Sequence, residues 1–316
     1  MAILLVCLGW LVLQTIDIWA VFFIAYIIMT GFIPVVGWLR RRRVPTALAI
    51  ALPYLVTLTI IAMIILPILP LFVGQVSSLL VNFPSYLNKA ARFLHLKVED
   101  NQFQNFLTGE LNGIGQNLLS FTGQLFSAFF AVLTLFVISF YLLLDHDRIR
   151  STVSRLFPTR YREYISTVIL QSELKLGAWL RGQLILSATI GIMTWLGLTV
   201  TGMKYALPLA LIAAVGEIIP TVGPILSAVP AVIIALGISP TMAGIVIIMY
   251  LVIQTVENHV LVPTVMRHAV GLHPLFTILA ILIGSKLMGV LGAVLAVPFL
   301  TLATVFVSNL NRDTDS

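Results

Sequence analysis

A short polar stretch interrupts one of the most apolar parts of the chain. Residues 205–236 are almost wholly apolar, yet Gly-Glu-Ile-Ile-Pro-Thr-Val-Gly-Pro occupies 216–224 near their centre. Proline removes a backbone donor and clashes with the preceding turn, and glycine permits turns. Inside a bilayer, broken backbone survives only where protein or a water-filled cavity satisfies it. We therefore predict that 216–224 is the tip of a helical hairpin that dips into a membrane and lines a transport site.

The composition supports a membrane protein. Of 316 residues, 59% are hydrophobic and 9% are charged, whereas a soluble domain carries about a quarter charged residues. The apolar runs are long and continuous rather than alternating, which favours helices over a membrane β-barrel. The predicted fold is an all-α polytopic membrane protein with about eight hydrophobic segments. Two of them are expected to be opposed re-entrant hairpins in the C-terminal half.

Two clusters of positive charge define the predicted topology. Four consecutive arginines at 40–43 follow an apolar span at 18–39, and seven basic residues lie in 148–181. Cytoplasmic loops are enriched in Lys and Arg. Two spans, 46–73 and 121–144, separate the clusters, so both lie on one side, together with the two termini. The net charge of +6 is therefore attributed to residues that set the membrane orientation and contact anionic lipid, rather than to nucleic-acid binding. The expected location is the inner (plasma) membrane of the cell.

The spans divide the chain into five predicted parts. These are N-terminal spans at 1–74, an extracytoplasmic amphipathic linker at 75–120, a span at 121–145, a cytoplasmic amphipathic linker at 146–181, and a transport domain at 182–310 with hairpins at 205–236 and 274–308. Prolines are expected to kink the 46–73 span or end it early; they are Pro53, Pro67 and Pro70.

Shorter amphipathic helices are predicted in both linkers. Helical spacing of apolar residues indicates helices at 84–95 and 102–119, and another that starts at Pro158 and runs toward Lys175. Asp145, His146 and Asp147 follow the 121–144 span. Alternate residues of a helix point in different directions, so a helix end at the membrane interface is favoured there over a metal site.

A repeat links the two broken apolar runs of the second half. Gly216 and Gly284 are 284 − 216 = 68 residues apart, and Ala-Val-Pro recurs at 228–230 and 296–298 with the same offset. The segments 216–230 and 284–298 therefore align without a gap. The predicted topology makes the two hairpins enter from opposite faces. Inverted repeats with broken helices around a midplane site are a transporter architecture, although a channel with opposed hairpins has a similar sequence pattern.

Few ionisable residues lie deep in the apolar runs of this half: Glu217, Glu257 and Lys286. A charge at the bilayer centre costs at least about 2.5–3.5 kcal/mol, so it is normally paired or faces water. The repeat aligns Lys286 with Ile218. We predict that Glu217 and Lys286 approach each other or share a solvated cavity. The alternative is that Lys286 reaches the cytoplasmic face and Glu217 is protonated.

A polar patch is predicted on the span at 239–262. Gln254, Glu257 and Asn258 are spaced i, i+3 and i+4, so they share one helix face, with His259 beside them. They form a substrate, proton or cation site, or an interhelical hydrogen-bond cluster. The candidate substrate or ion pathway comprises Glu217, Pro220, Thr221, Gly223, Gln254, Glu257, Asn258, Gly284, Lys286 and Gly289.

The sequence offers no enzyme signature. It contains no Gly-Lys-Ser/Thr nucleotide loop, no His-Glu-x-x-His zinc motif and no Gly-x-Ser-x-Gly elbow. We therefore expect no catalytic residue, metal ligand or cofactor. Without a nucleotide site, the energy for transport must come from a gradient or from the solute.

Four stretches carry a family resemblance. They are Leu-Gly-Ala-Trp-Leu-Arg-Gly-Gln at 176–183, the 216–224 tip with Ala-Val-Pro at 228–230, Glu-Asn-His-Val-Leu-Val-Pro at 257–263, and 270–298, which opens with Val-Gly-Leu-His-Pro. With these motifs at this spacing, the chain resembles the autoinducer-2 exporter family, the PerM-like permeases. The resemblance implies about eight hydrophobic segments, a homo-oligomer with five subunits, and export, with the quorum-sensing signal autoinducer-2 as the default solute. It also implies a link to sodium/proton antiport, which is associated with other members.

The sequence is compatible with three functions. The leading interpretation is a secondary transporter that exports a small polar solute. The second is a sodium (or lithium)/proton antiporter that uses Glu217 and Glu257, and the third is a channel or membrane scaffold. The expected partners are membrane lipids, a small polar solute or cation, and further copies of the chain.

Overall fold

The structure is a computed structural model that describes residues 14–93, 118–220, 222–266 and 274–313. No strand occurs in these ranges. The α-helices are α1 (Ile16–Arg41), α2 (Thr46–Phe93), α3 (Leu118–Leu144), α4 (His146–Arg155), α5 (Arg162–Val200), α6 (Ala206–Gly216), α7 (Val222–Ile238), α8 (Pro240–Val256), α9 (Val262–Val265) and α10 (Pro274–Asp313). A 3₁₀ turn at Thr159–Tyr161 precedes α5, and a π-helical turn at Glu257–Leu261 joins α8 to α9.

Six stretches of helix in the described residues are long and apolar enough to cross a membrane. They are Ile16–Arg41, Thr46–Phe93, Ser127–Leu144, Thr159–Val200, Pro240–Val265 and Leu275–Asn309. Helices α6 and α7 are apolar but shorter than a span. The predicted all-helical membrane class is confirmed, while the count of eight segments stays a prediction.

The chain forms two compact units. The first unit comprises Met1–Thr59, Ala128–Arg181 and Ala269–Ser316, and the second comprises Ile60–Ser127 and Gly182–His268. Helices α2, α3 and α5 contribute residues to both units. The predicted transport domain at 182–310 takes parts from each, and it stays a prediction.

The core of the first unit is an aromatic and aliphatic cluster between α1, α2 and α3. Tyr54 lies at its centre: its ring stacks on Phe32 with 4.2 Å between centroids, and its hydroxyl lies 2.6 Å from the Ser139 hydroxyl. Helix α5 joins this unit by a close approach to α1, because a Cβ on Gly177 would overlap the carbonyl oxygen of Thr30. Buried polar groups such as Ser139 are thus satisfied within the helix bundle.

Helix α2 continues well beyond the predicted span at 46–73, and its C-terminal part packs into the core of the second unit. Leu79 belongs to a buried cluster with Leu209, Ala231, Ile234 and Val246. Tyr86 packs against this cluster, and its ring meets that of Tyr205 edge-on at 6.2 Å. A side chain at Gly237 would collide with Tyr86. These contacts hold the C-terminal part of α2 in the unit.

The predicted separate helix at 84–95 is wrong, because Pro84 lies inside α2. Of the two outcomes expected at Pro53, Pro67 and Pro70, an early end of the helix does not occur, and a kink stays a prediction. Proline is tolerated in membrane helices because neighbouring groups satisfy the freed backbone, and apolar packing against α6 and α7 stabilises the continuation. The remaining part of the 75–120 linker, including the predicted helix at 102–119, lies largely outside the described residues.

Helix α5 likewise merges two predicted elements. The helix expected to run from Pro158 toward Lys175 begins with the 3₁₀ turn and then continues without a break to Val200. The second half of the predicted linker and the following span are thus parts of one helix, and the division between the two compact units falls within it, between Arg181 and Gly182.

Each broken apolar run is a pair of packed helical pieces. The run at 205–236 forms α6 and α7, which pack against each other. In α10 the helical geometry fails at Met288 (φ −135°, ψ 18°) and Gly289 (φ 60°, ψ −140°). A positive φ of this size favours glycine. The breaks predicted at 216–224 and within 284–292 are therefore present, while entry into a bilayer from one face stays a prediction.

Facing glycines bring the two pieces of each pair together. A Cβ on Gly223 would overlap the carbonyl oxygen of Gly216, and a Cβ on Gly292 would overlap that of Gly284. The facing glycines are 223 − 216 = 7 residues apart in the first pair and 292 − 284 = 8 in the second. The second loop is thus one residue longer between its facing glycines, although the 68-residue offset aligns 216–230 with 284–298 without a gap.

Candidate functional site

Two buried carboxylates mark the candidate site, which lies in the second unit. Glu217 is 1% exposed and Glu257 is 4% exposed. The Glu257 carboxylate is near enough to act electrostatically on Glu217. Each acid also has one carboxyl oxygen, Oε2, without a hydrogen-bond partner among the described residues. Buried carboxylates without partners are costly, which favours a functional role for this pair.

The tip between α6 and α7 fixes the position of Glu217. The Glu217 amide donates to the carbonyl of Ala213 at 3.0 Å, and the Ile219 amide donates to that of Gly216 at 2.9 Å. The carbonyl of Glu217 accepts a hydrogen bond from Gln183 Nε2 at 2.5 Å. Helix α5 therefore contacts the backbone of the tip through Gln183, and this hydrogen bond does not involve the Glu217 carboxyl group.

Helix α5 runs antiparallel to α8 and α9 beside this tip. A Cβ on Gly197 would touch Met249, and one on Gly182 would touch Met266. Between these contacts, Ile190 packs with Ala213 and Ile253 in a buried cluster. This register places Glu257 roughly level with Ile190, because antiparallel helices advance by the same rise per residue.

Polar groups recur along the facing sides of these helices. On α5, Gln183, Ser187 and Thr194 share the face of Ile190, and on α8, Tyr250 shares the face of Ile253 and Glu257. We call these six residues the polar seam: Gln183, Ser187, Thr194, Glu217, Tyr250 and Glu257. Each has one buried side-chain oxygen without a hydrogen-bond partner in the described part of the chain. Native interiors contain few such atoms, so their concentration here points to water, protons or a cation.

The π-helical turn at Glu257–Leu261 divides the predicted polar patch. Glu257 is buried, whereas Asn258 and His259 are exposed. Gln254 is half-buried, and its Nε2 donates to Asn258 Oδ1 at 3.5 Å. His259 Nδ1 lies 3.0 Å from the Thr255 carbonyl. Single π turns often occur at functional sites. Here the turn coincides with the change from the buried Glu257 to exposed residues.

The other predicted pathway residues are distributed over both units. Gly223 is buried at the tip, Pro220 is half-buried, and Thr221 lies outside the described residues. Gly284, Lys286 and Gly289 belong to the first unit, where Lys286 is exposed. The approach of Glu217 to Lys286 stays a prediction. Gln183, Ser187, Thr194 and Tyr250 were not predicted as site residues, although Gln183 ends the 176–183 motif.

A second polar cluster lies in the first unit. Glu173, on α5, is 4% exposed, and its Oε1 accepts a hydrogen bond from the Tyr26 hydroxyl at 3.4 Å. His146 Nε2 lies 2.9 Å from the same oxygen. Asp145 lies between α3 and α4 at the N-cap position of α4, in agreement with the predicted helix end. The pairing of His146 with Glu173 was not predicted, because 27 residues separate the two in the chain.

The hydrogen bond to Glu173 raises the pKa of His146 above its ordinary value, so folding favours protonation of this imidazole. Its stabilising contribution is complete below the unfolded pKa of about 6.5 and is lost as the pH rises through the higher folded value. We expect the melting temperature of the wild type in detergent to fall relative to that of H146Q as the pH is raised above 6.5. Parallel profiles for the two proteins would contradict this expectation.

The apolar helices and the buried polar seam together define the class of a multi-pass membrane transporter. The family model of the AI-2E family transporters matches residues 1–312. The chain belongs to this family, and the resemblance to the autoinducer-2 exporters is confirmed.

Individual relatives agree with this assignment. The chain is 30% identical over 307 residues to YueF of Bacillus subtilis, named as a candidate transport protein, with 92% of this chain and 83% of YueF aligned. It is 29% identical over 307 residues to YrrI of the same organism, also named as a candidate transport protein, with 92% and 85% aligned. It is also 29% identical over 206 residues to the candidate permease PerM of Escherichia coli, with 64% and 58% aligned.

Proposed function

We propose that this chain is a proton-coupled secondary transporter that exports a small polar solute, with autoinducer-2 as the family default. The observation that supports this proposal best is the pair of buried carboxylates, Glu217 and Glu257. Two interacting acids in a site of low polarity resist simultaneous ionisation. A proton can therefore move onto and off the pair as the surroundings of the site change.

Proton exchange at this pair gives a mechanism for coupling. With one proton bound, the polar seam is close to neutral and can be closed at low electrostatic cost. With both acids ionised, the seam attracts water or a positive group, because an isolated buried charge is costly. Alternation between these states, with the α6–α7 tip as the moving part, would link proton movement to solute export.

A second candidate function is sodium (or lithium)/proton antiport. The unpartnered seam atoms are all oxygens: two carboxyl, one amide, two hydroxyl and one phenol. Small hard cations prefer oxygen ligands. A dehydrated monovalent cation could replace the proton by binding the carboxyl oxygens of Glu217 and Glu257 with neutral oxygens from α5.

Reconstituted proteoliposomes distinguish these functions. For an exporter, we expect labelled autoinducer-2 to cross the membrane in response to a pH gradient, without proton flux on addition of sodium. For an antiporter, added sodium should change the lumenal pH reported by a trapped dye. E257Q should reduce either signal by about tenfold or more, and E163Q, which changes an exposed acid on α5, should leave it unchanged. If neither solute nor ions move in protein whose folding is verified, the transport proposal fails and a scaffold is favoured.

The proposal also includes the membrane topology and the oligomeric state of the chain. We place α6–α7 and the two pieces of α10 as re-entrant hairpins, with both termini and the basic clusters in the cytoplasm of the inner membrane. A homo-oligomer of five subunits is proposed from the family resemblance. Cysteine accessibility at the two hairpin tips from either side of the membrane tests the opposed entry directly.

A further inference from the structure

A cavity in the first unit shares no lining residue with the polar seam. It has a volume of about 250 Å³, and its lining includes residues on both sides of the point where the apolar helix α3 gives way to the polar helix α4. Its walls are mainly apolar and come from α1, α3, α4 and α5: Met29, Leu142, Ile149, Val153 and Ile169. Such a cavity suits a hydrocarbon chain.

The polar groups of the cavity leave one positive charge without an acidic partner. The lining includes Glu173, His146 and Arg150. The Glu173 carboxylate lies 2.9 Å from His146 Nε2, and a protonated His146 balances its charge. Arg150 is half-buried, and its Nη2 donates to the carbonyl and hydroxyl oxygens of Ser166 at 3.1 and 3.0 Å. The ion pairs among the described residues do not include Arg150.

Arg150 can bind a further anion. A guanidinium has five N–H donors in a planar fork, and its two contacts with Ser166 are both to neutral oxygens. Arg148 and Arg155 are exposed on the same helix, but they are not among the residues that line the cavity. Arginine pairs well with phosphate and carboxylate because two parallel hydrogen bonds can form.

We propose that this cavity binds an anionic amphiphile, with its phosphate or carboxylate head on Arg150 and its hydrocarbon chain between α1, α3, α4 and α5. The junction of an apolar span with a polar helix is where lipid headgroups meet membrane proteins. An anionic phospholipid of the surrounding bilayer and a free fatty acid share this chemistry. Both would occupy a site separate from the proposed transport site.

Native mass spectrometry of the full chain in detergent tests the proposal, with phosphatidylglycerol and phosphatidylcholine as probes. We expect one phosphatidylglycerol to be retained, and R150Q to weaken its binding about tenfold, as expected for loss of a charge-assisted contact. Glutamine can still bond Ser166, so the fold should survive. R155Q, an equal change of charge outside the cavity, should leave the affinity within about twofold.

A second variant tests the cavity itself. V153F fills the space between the helices, and we expect it to weaken phosphatidylglycerol binding without loss of thermal stability. Decanoate then separates the two sources of the ligand: displacement of the retained lipid shows that the site accepts a free fatty acid, and no displacement assigns it to bilayer phospholipid. Equal effects of R150Q and R155Q, equal affinity for the two phospholipids, or unchanged binding by folded V153F would overturn the proposal.

Discussion

Replacing Gly223 with alanine is expected to lower the free energy of unfolding by about 3 kcal/mol or more, at the upper end of the cost of overpacking. The added Cβ would overlap the carbonyl oxygen of Gly216 and approach the amide nitrogen of Glu217 to 3.0 Å. Backbone atoms cannot move aside as a flexible side chain can, so α6 and α7 must separate. Because Glu217 lies at this contact, transport should fall together with the melting temperature.

Two control variants make this prediction specific. A Cβ on Gly216 would lie 3.0 Å from the Gly223 carbonyl oxygen, a milder contact, so G216A should destabilise less than G223A. Gly244, in α8, has nothing within 4 Å of its built Cβ. There, alanine should be neutral or stabilise the helix by up to about 1 kcal/mol. If G223A and G244A melt at the same temperature in detergent, the close approach of α6 and α7 is wrong.

The position of both breaks could be predicted because their cause is local. Gly and Pro cannot continue a long apolar helix without cost; the sequence places both at 216–224 and three glycines at 284–292. The facing of Gly216 with Gly223, and of Gly284 with Gly292, could not be predicted, since it depends on how closely two helical pieces pack. The second pair has one more residue between its facing glycines than the first. An ungapped sequence alignment cannot show this difference, because it depends on which residues pack against each other.

The errors arose where tertiary packing outweighs local preference. Proline is common in the first turn of a helix, so Pro84 indicated the start of a new helix. Helix α2 nevertheless continues through Pro84, because Leu79 and Tyr86 pack into the second unit. Similarly, the amphipathic character of 158–175 indicated a separate surface helix. Its junction with the following span contains no proline, so the two form the single helix α5.

The candidate site was predicted only in part. Glu217 and Glu257 were singled out because carboxylates are rare in apolar runs, and the structure brings them near each other. The π-helical turn at Glu257–Leu261 has no sequence signature and directs Asn258 away from the interior. Gln183, Ser187 and Thr194 are ordinary residues for a membrane helix, so only the register of α5 against α8 reveals their shared face.

Removing either carboxylate of the seam should reduce transport more than tenfold without lowering stability. E217Q and E257Q keep the shape of each side chain but remove the exchangeable proton and the repulsion between the two acids. Functional groups of this kind are often held at a cost to the fold. The melting temperature of each variant should therefore equal or exceed that of the wild type, whereas a purely structural carboxylate would give a lower value.

The double variant decides whether the two acids act as one site. Groups that act as a unit give effects far from additive, so E217Q/E257Q should lose little more transport than either single variant. Independent roles would instead multiply the two losses, as for distant residues. The pH dependence of transport gives a second readout: wild-type flux should vary with pH as the pair exchanges its proton, and the residual flux of each single variant should respond less. Multiplicative losses with unchanged pH profiles would place proton coupling elsewhere in the chain and leave Glu217 and Glu257 as structural residues of the second unit.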